Sequence, residues 1–275
     1  MAPSKHKKID LPPYRGEIAE TYSRPEWLSV LGDPQKILAG PGAEILLDGR
    51  NKVGAVTVDL GPSRSADLVV KEFRSRGITR LKSLFGKSKA EKAWRGAAAL
   101  MNAGLDTPFP VAFLEKRRKG FVEESFFLSE RIRGAPEIRG LFRELAEGEL
   151  RPLLASLAET LFRSHEKGIL HRDLSDGNIL VKKDGDSFRF FFLDTNRIRR
   201  RRKIGELGRA KGLIRLGVPP GLRLYFLGRY SAAGGRPLRN SFLFWYKLNK
   251  AAFAGWIRFK KALRLKKISR KLRIQ

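Results

Sequence analysis

Leu170-His171-Arg172-Asp173-Leu174-Ser175-Asp176-Gly177-Asn178-Ile179-Leu180 sets a carboxylate five residues ahead of an amide, behind a His-Arg pair and before an apolar, strand-like run. Two further stretches flank it. Upstream, Leu68-Val69-Val70-Lys71-Glu72-Phe73 reads as a buried strand with one inward lysine. Such a lysine is costly unless an anion faces it. Downstream, Ser187-Phe188-Arg189-Phe190-Phe191-Phe192-Leu193 is a second strand-like run that ends in Asp194-Thr195-Asn196. Singly, each piece has an ordinary explanation: Lys71 as a strand-edge lysine, Asp194 as a turn residue, Asp173 and Asn178 as parts of an Asx-rich turn. Their order joins them: a lysine strand, a helix, the Asp–Asn loop, then a hairpin ending in an acid.

That order resembles the catalytic parts of protein kinases, whose loop reads H-R-D-x-x-x-x-N. The resemblance implies an α+β, protein-kinase-like two-lobed fold, with a small antiparallel-sheet N-lobe and a mainly helical C-lobe. It implies Asp173 as the base for the attacking hydroxyl, Asn178 and Asp194 as Mg2+ ligands, and Lys71 as the anchor of the ATP phosphates. Around the nucleotide, the strand Ala43 to Leu47, the turn Asp48-Gly49-Arg50-Asn51 and the strand Val53 to Leu60 stand where a kinase hairpin covers phosphates. Gly49 and Gly54 are the candidates there, although G-x-G-x-x-G is incomplete and a plain hairpin accounts for both. The run Phe126 to Ile132 enters Arg133-Gly134-Ala135-Pro136, a lobe connector by composition, so the backbone from Glu130 to Ile132 is the candidate adenine contact. The helix-like segment Lys89 to Ala103, stopped by Gly104, stands where a kinase helix pairs its Glu with the strand lysine. Its one acid is Glu91, near the start, whereas the expected position lies nearer Ala93. Either Glu91 reaches Lys71 from an earlier turn or the pair is absent. Other departures are D-T-N in place of D-F-G, and Ser175 where many protein kinases carry a lysine, with Arg172 or Arg197 as substitutes. No A-P-E-like end follows the run Arg197 to Lys203, which argues for a non-peptide acceptor.

Composition bounds the alternatives. The 275 residues suffice for one large domain or two lobes. With no cysteine, the chain has no disulfide frame, thiolate nucleophile or Cys-based zinc site. Its three histidines, His6, His165 and His171, make a His-rich metal site an unnatural reading, and His165 reads as a packing residue. The polar N-terminus lacks the apolar core of a secretion signal. No apolar run reaches the roughly 18 residues a membrane span needs, so the expected location is cytoplasmic. From Arg197 to Gln275, 24 Lys and Arg face one acid, Glu206, so +23 of the chain's net +29 lies in that stretch. A polyanionic surface is its natural partner, and both an anionic membrane leaflet and nucleic acid fit.

The expected organisation is a peripheral extension over 1–35, an N-lobe over 36–131, a C-lobe over 132–240 and a basic amphipathic segment over 241–275. An amphipathic helix is expected over Leu153 to His165, with Leu154, Leu157, Ala158, Leu161 and Phe162 on one face. Near the C-terminus, Trp245, Leu248, Ala252, Trp256, Phe259 and Leu263 share a helical face, opposite Lys247, Lys250, Arg258 and Lys261. That helix either packs its aromatic face inward, lies on anionic lipid or contacts RNA.

From Arg80 onward the chain resembles the lipopolysaccharide kinase family of the Kdo/WaaP type. The resemblance covers residues 65 to 220. It rests on Ser88 to Gly96, Ala103 to Ala112, Glu124 to Glu130, the D-L-x-x-x-N-I-L loop, and Gly208 to Leu216, which is similar to an R-A-x-N-L-x-R-L run. It implies ATP- and Mg2+-dependent phosphorylation of a sugar hydroxyl, on Kdo or heptose, in the inner core of lipopolysaccharide. Such an enzyme would act peripherally at the cytoplasmic face of the inner membrane, on a lipid-linked anionic saccharide. The competing readings are a small-molecule or atypical protein kinase of the same superfamily, and a kinase-fold pseudoenzyme that binds an anionic surface or RNA.

Overall fold

The computed structural model describes residues 5–60, 65–74, 84, 86–185 and 187–272, with side chains of the last helix as far as residue 263. Arg80, where the family resemblance begins, and the end of the basic segment at Gln275 lie outside the described residues. The principal elements, in chain order, begin with β1 (His6–Leu11), β2 (Tyr14–Ala19), α1 (Pro25–Leu31), α2 (Pro34–Ala39), β3 (Glu44–Asp48), β4 (Lys52–Asp59) and β5 (Ser65–Glu72). Then come α3 (Lys89–Asn102), β6 (Pro110–Arg118), β7 (Phe121–Glu130), α4 (Ile138–Glu144) and α5 (Glu147–Glu166). The chain ends with β8 (Ile179–Asp184), β9 (Ser187–Phe192), α6 (Glu206–Leu213), α7 (Arg223–Ala232) and α8 (Asn240–Leu272). They form two compact units, Met1–Pro136 with Asn178–Arg200, and Glu137–Gly177 with Arg201–Gln275.

The first unit is built on a seven-stranded sheet in the order β1-β2-β6-β7-β5-β4-β3. Every neighbouring pair is antiparallel. Its core includes Ile18, Leu31, Leu68, Val70, Leu114 and Phe126. Leu68 and Val70 occupy one phase of β5, which leaves Lys71 on the opposite face of the strand. Of residues 1–35, read from sequence as a peripheral extension, the described residues 5–35 are part of the fold: β1 and β2 extend the sheet, and Tyr14, Ile18, Tyr22 and Leu31 are buried. Their short apolar alternation is interrupted by Pro12-Pro13 and crowded by charges, so burial comes from pairing with β6 rather than from a long local pattern.

Ser88 caps α3, its Oγ accepting the Glu91 N–H at 2.9 Å. The helix ends where Gly104 turns to φ +64°, a conformation that favours glycine. Between these stops, its small face lies against the turn after β9. Thr195 Oγ1 donates to the Ala93 carbonyl at 2.8 Å, and a Cβ on Gly96 would run into the Thr195 carbonyl oxygen. The β8–β9 hairpin is tied to the same unit. Phe192 N–H donates to Asp106 O at 3.0 Å, Thr107 Oγ1 donates to Phe192 O at 2.8 Å, and Arg189 pairs with Asp106 at 2.9 Å. The hairpin therefore belongs with the sheet unit, not with the 132–240 stretch that sequence order suggested. Gly96→Ala isolates the close approach. Helix propensity alone would stabilise the variant by up to about 1 kcal/mol. We expect overpacking to win and to destabilise by about 1–3 kcal/mol. A thermal melt checks the sign, because an unchanged or raised Tm would rule out the contact.

In the second unit α5 packs on α7 and buries Leu154, Leu157, Ala158 and Leu161 of the stripe read from sequence, together with Leu150 and Leu153, while Phe162 is only half-buried. His165 packs here, as expected. Its Nδ1 and the Tyr230 hydroxyl are 2.6 Å apart, and burial, then the charge of Arg209, pushes its imidazole down to about 3. Helix α8 packs on α6, but not by the face picked out above. Phe242 and Tyr246 are buried, with the Tyr230 and Phe242 rings stacked at 5.6 Å. Leu248, Trp256, Phe259 and Leu263 are each about half exposed, so the aromatic stripe does not pack inward. The physical reason is phase: the helix docks through positions 242, 246, 250 and 253, and the stripe lies away from that seam.

Candidate active site

Each unit carries its own set of polar groups. In the first, β5 carries Lys71 to the acid that ends the hairpin: Lys71 Nζ lies 2.5 Å from Asp194 Oδ1. Both side chains are about a fifth exposed, 22% and 21%, so the pair is only partly screened by water. The Phe73 ring lies 5.2 Å from Nζ and closes one side. Asp194 takes a left-handed conformation (φ 51°, ψ 45°), which Asp tolerates better than most residues. Leu193 N–H donates to Asn178 O at 2.9 Å, which brings the backbone of the two expected metal ligands together.

The expectation that Glu91 serves Lys71 is not met. Glu91 Oε1 is held by Arg95 of its own helix at 2.8 Å and by Lys87, just before that helix, at 3.5 Å. Ala93, where an acid would have to stand, is buried, and its carbonyl is used by Thr195. Asp194 takes over as the counterion. Sequence reasoning also passed over Lys89, at the start of α3. Burial, then the charges of Arg50, Arg197 and Lys92, pushes its ammonium below the usual lysine range, while Asp194 opposes the shift. A lysine just after a capping serine, one turn before Ala93, was the signal that could have found it.

The nucleotide candidates fare differently. Gly49 is at the hairpin tip, where a Cβ would meet nothing; its carbonyl accepts a bond from Arg74 Nη1 at 3.3 Å. Gly54 sits in β4, where a Cβ would press on Leu38 of α2, so packing explains that glycine. In the connector, Glu130 N–H donates to Phe109 O at 2.9 Å and Arg131 N–H to Asp67 O at 2.7 Å. Both donors are committed to the sheet. Among the described residues no backbone carbonyl accepts from the Ile132 N–H.

In the second unit the loop is tightly wound. Ser175 N–H donates to Asp173 O at 2.8 Å, and Asp173 N–H donates to His171 Nδ1 at 3.1 Å. Asp173 Oδ1 lies 2.5 Å from Arg215 Nη2. Arg139 Nε approaches Asp176 at 3.5 Å.

Oxygen donors of the Asp and Asn type suit Mg2+, which takes one or two protein carboxylates and completes its shell with phosphate and water. Two observations fit Asp194 and its neighbours to that ion. A cation, the Lys71 ammonium, already draws on Asp194. In the same turn Asn196 Oδ1 is buried and, among the described residues, has no donor. Among the described residues there is no cluster of three or more His, Cys, Asp or Glu, so a site held by protein ligands alone is not what these residues offer.

A lysine strand in an antiparallel sheet, a hairpin ending in a paired Asp, and an H-R-D loop in a helical unit define a protein-kinase-like fold. The solved structure of "WaaP in complex with acyl carrier protein" shares it: 20% identity, TM-score 0.56, 80% of this chain and 91% of that one. The sequence model of the lipopolysaccharide kinase (Kdo/WaaP) family matches residues 66–218, and the chain belongs to that family. Two proteins of Mus musculus, "Sperm motility kinase Tcr mutant form" and "Sperm motility kinase 1", are each 49% identical over 41 residues. That match takes in 15% of this chain and only 8% of the length of either curated relative.

Proposed function

We propose that this protein transfers the γ-phosphoryl group of ATP to a sugar hydroxyl, on Kdo or heptose, of the lipopolysaccharide inner core. The observation that carries the reading is the Lys71–Asp194 pair, formed across 123 residues of sequence in a chain of the Kdo/WaaP family. Asp173 orients the acceptor hydroxyl and takes its proton, Lys71 holds phosphate oxygens, and the Ile132 backbone meets the adenine. Mg2+, held by Asn178 and Asp194, would offset negative charge on the phosphates. Lys89 and Arg197 add positive charge beside Asp194 and support a polyphosphate ligand there. The test is transfer of labelled phosphate from ATP to a Kdo-containing lipid A precursor. Labelled precursor is expected, and hydrolysis or transfer to other acceptors alone would count against it.

The lipid-linked acceptor also favours a place at the inner face of the inner membrane. None of the described helices is long and apolar enough to cross a bilayer. Helix α8 instead exposes Trp256, Phe259 and Leu263 beside Arg258, Lys260 and Lys261, the composition of an interfacial helix. Phe242 and Tyr246 of the same helix are core residues, so the informative truncation removes residues from Trp256 onward. Loss of flotation with anionic liposomes is expected, and equal flotation of full-length and truncated protein would refute the interfacial role.

A further inference from the structure

Arg215 stands at the meeting point of contacts that lie within the second unit. Its Nη2 is 2.5 Å from Asp173 Oδ1. Its guanidinium lies over the Phe253 ring, 5.0 Å from the centroid. The carbonyls on either side of it, Ile214 O and Leu216 O, both accept hydrogen bonds from Lys250 Nζ, at 2.9 and 3.0 Å. Lys250 and Phe253 are three residues apart on α8 and so share a face. Helix α6 ends at Leu213, and its terminal carbonyls need donors from outside the helix. Lys250 supplies one ammonium to two carbonyls of that exit. Burial, then the charge of Arg223, pushes its pKa below the usual lysine range, with Asp176 opposing. A half-buried ammonium is tolerated because those carbonyls satisfy it.

The two elements hold different parts of one residue. Lys250 fixes the backbone of Arg215, Phe253 supports the guanidinium face, and the remaining edge of the guanidinium is directed at the carboxylate. Ser175 brings no charge to the loop, whereas Arg215 does. Arg215 and Asp173 remain 38% and 26% exposed, so the pair is reachable by substrate.

We propose that Arg215 is the positioning residue for the catalytic base, and that helix α8 holds it in place through Lys250 and Phe253. The proposal rests on the reading of Asp173 as the base. It gives α8 a role in turnover separate from any role at a membrane.

Full-length wild type is compared with Arg215→Ala, Arg215→Lys, Lys250→Met and Phe253→Ala by two measurements. Hydrogen–deuterium exchange needs no acceptor. Faster exchange is expected over residues 170–178 in Arg215→Ala, and over 213–217 as well in Lys250→Met and Phe253→Ala, with α5 unchanged. Wild-type exchange over 170–178 in all three overturns the proposal. In the transfer assay, Arg215→Ala is expected to lower kcat by about 10²-fold, the scale of a misplaced catalytic group, with KM for ATP unchanged. Added guanidinium should restore part of kcat in Arg215→Ala and none in Asp173→Ala, a rescue that a merely structural role would not give. Unchanged kcat, or no rescue in a folded Arg215→Ala, overturns the proposal. Should Arg215→Ala fail to fold, Arg215→Lys and Lys250→Met carry the comparison, and wild-type kcat in Lys250→Met overturns the hold by α8. If wild type does not phosphorylate the lipid A precursor, the proposed acceptor has failed, and the exchange arm still decides the role of Arg215.

Discussion

Asp173→Ala is expected to lower kcat by about 10²–10⁴-fold, the range that a positioned general base supplies, while ATP binding stays near wild type. The carboxylate would act on the acceptor hydroxyl, whereas the nucleotide would be held by Lys71 and Asp194, which pair with each other and not with Asp173. The variant also leaves Arg215 without this counterion. At 38% exposure that charge is partly hydrated, so the fold should tolerate the loss. Asp173→Asn is the sharper variant, because it preserves shape and an acceptor for Arg215 but cannot take a proton at neutral pH. Steady-state kinetics on purified protein decide the matter. Near-normal kcat in either variant would remove Asp173 from the chemistry.

The second large effect is expected on metal-dependent nucleotide binding. Asp194→Ala should raise the Kd for ATP in the presence of Mg2+ by about tenfold or more, which is about 1.4 kcal/mol. Two losses combine. The turn keeps its Thr195–Ala93 anchor, but the proposed metal ligand would be gone, and Lys71 loses its partner at 2.5 Å. A calorimetric titration of ATP with and without Mg2+ separates them. If Asp194 acts through the metal, the variant reduces the Mg2+-dependent part of the affinity. An equal loss with and without Mg2+ would assign the residue to holding Lys71 alone.

Much of the first unit was legible because its strands are locally patterned. The runs at Val53 to Leu60 and Leu68 to Phe73 alternate or bury wholesale, and they appear as β4 and β5 within one to three residues at each end. Gly104 ended α3 for a reason visible in one residue, its freedom to adopt positive φ. The N-terminal strands were not legible, because β1 is mostly exposed and gains its place by pairing with β2. Which face of α8 docks was not legible for a related reason. Its exposed stripe is more aromatic than its buried seam, and the seam contains Lys250, whose burial depends on two carbonyls of another segment.

The chain alone determined the order lysine strand, H-R-D-x-x-x-x-N loop and hairpin acid, and with it the kinase-like fold and the family, since spacing within a loop and alternation within a strand are local properties. Tertiary structure alone decided the partners. Lys71 meets Asp194 and not Glu91, because Ala93 and Gly96 let α3 lie against the Asp194 turn, and Arg95 holds Glu91 along its own helix. Arg215 meets Asp173 because a half-buried lysine and an aromatic ring on α8 support it there. Charge pairing depends on distance in space, which falls off with no regard to separation along the chain.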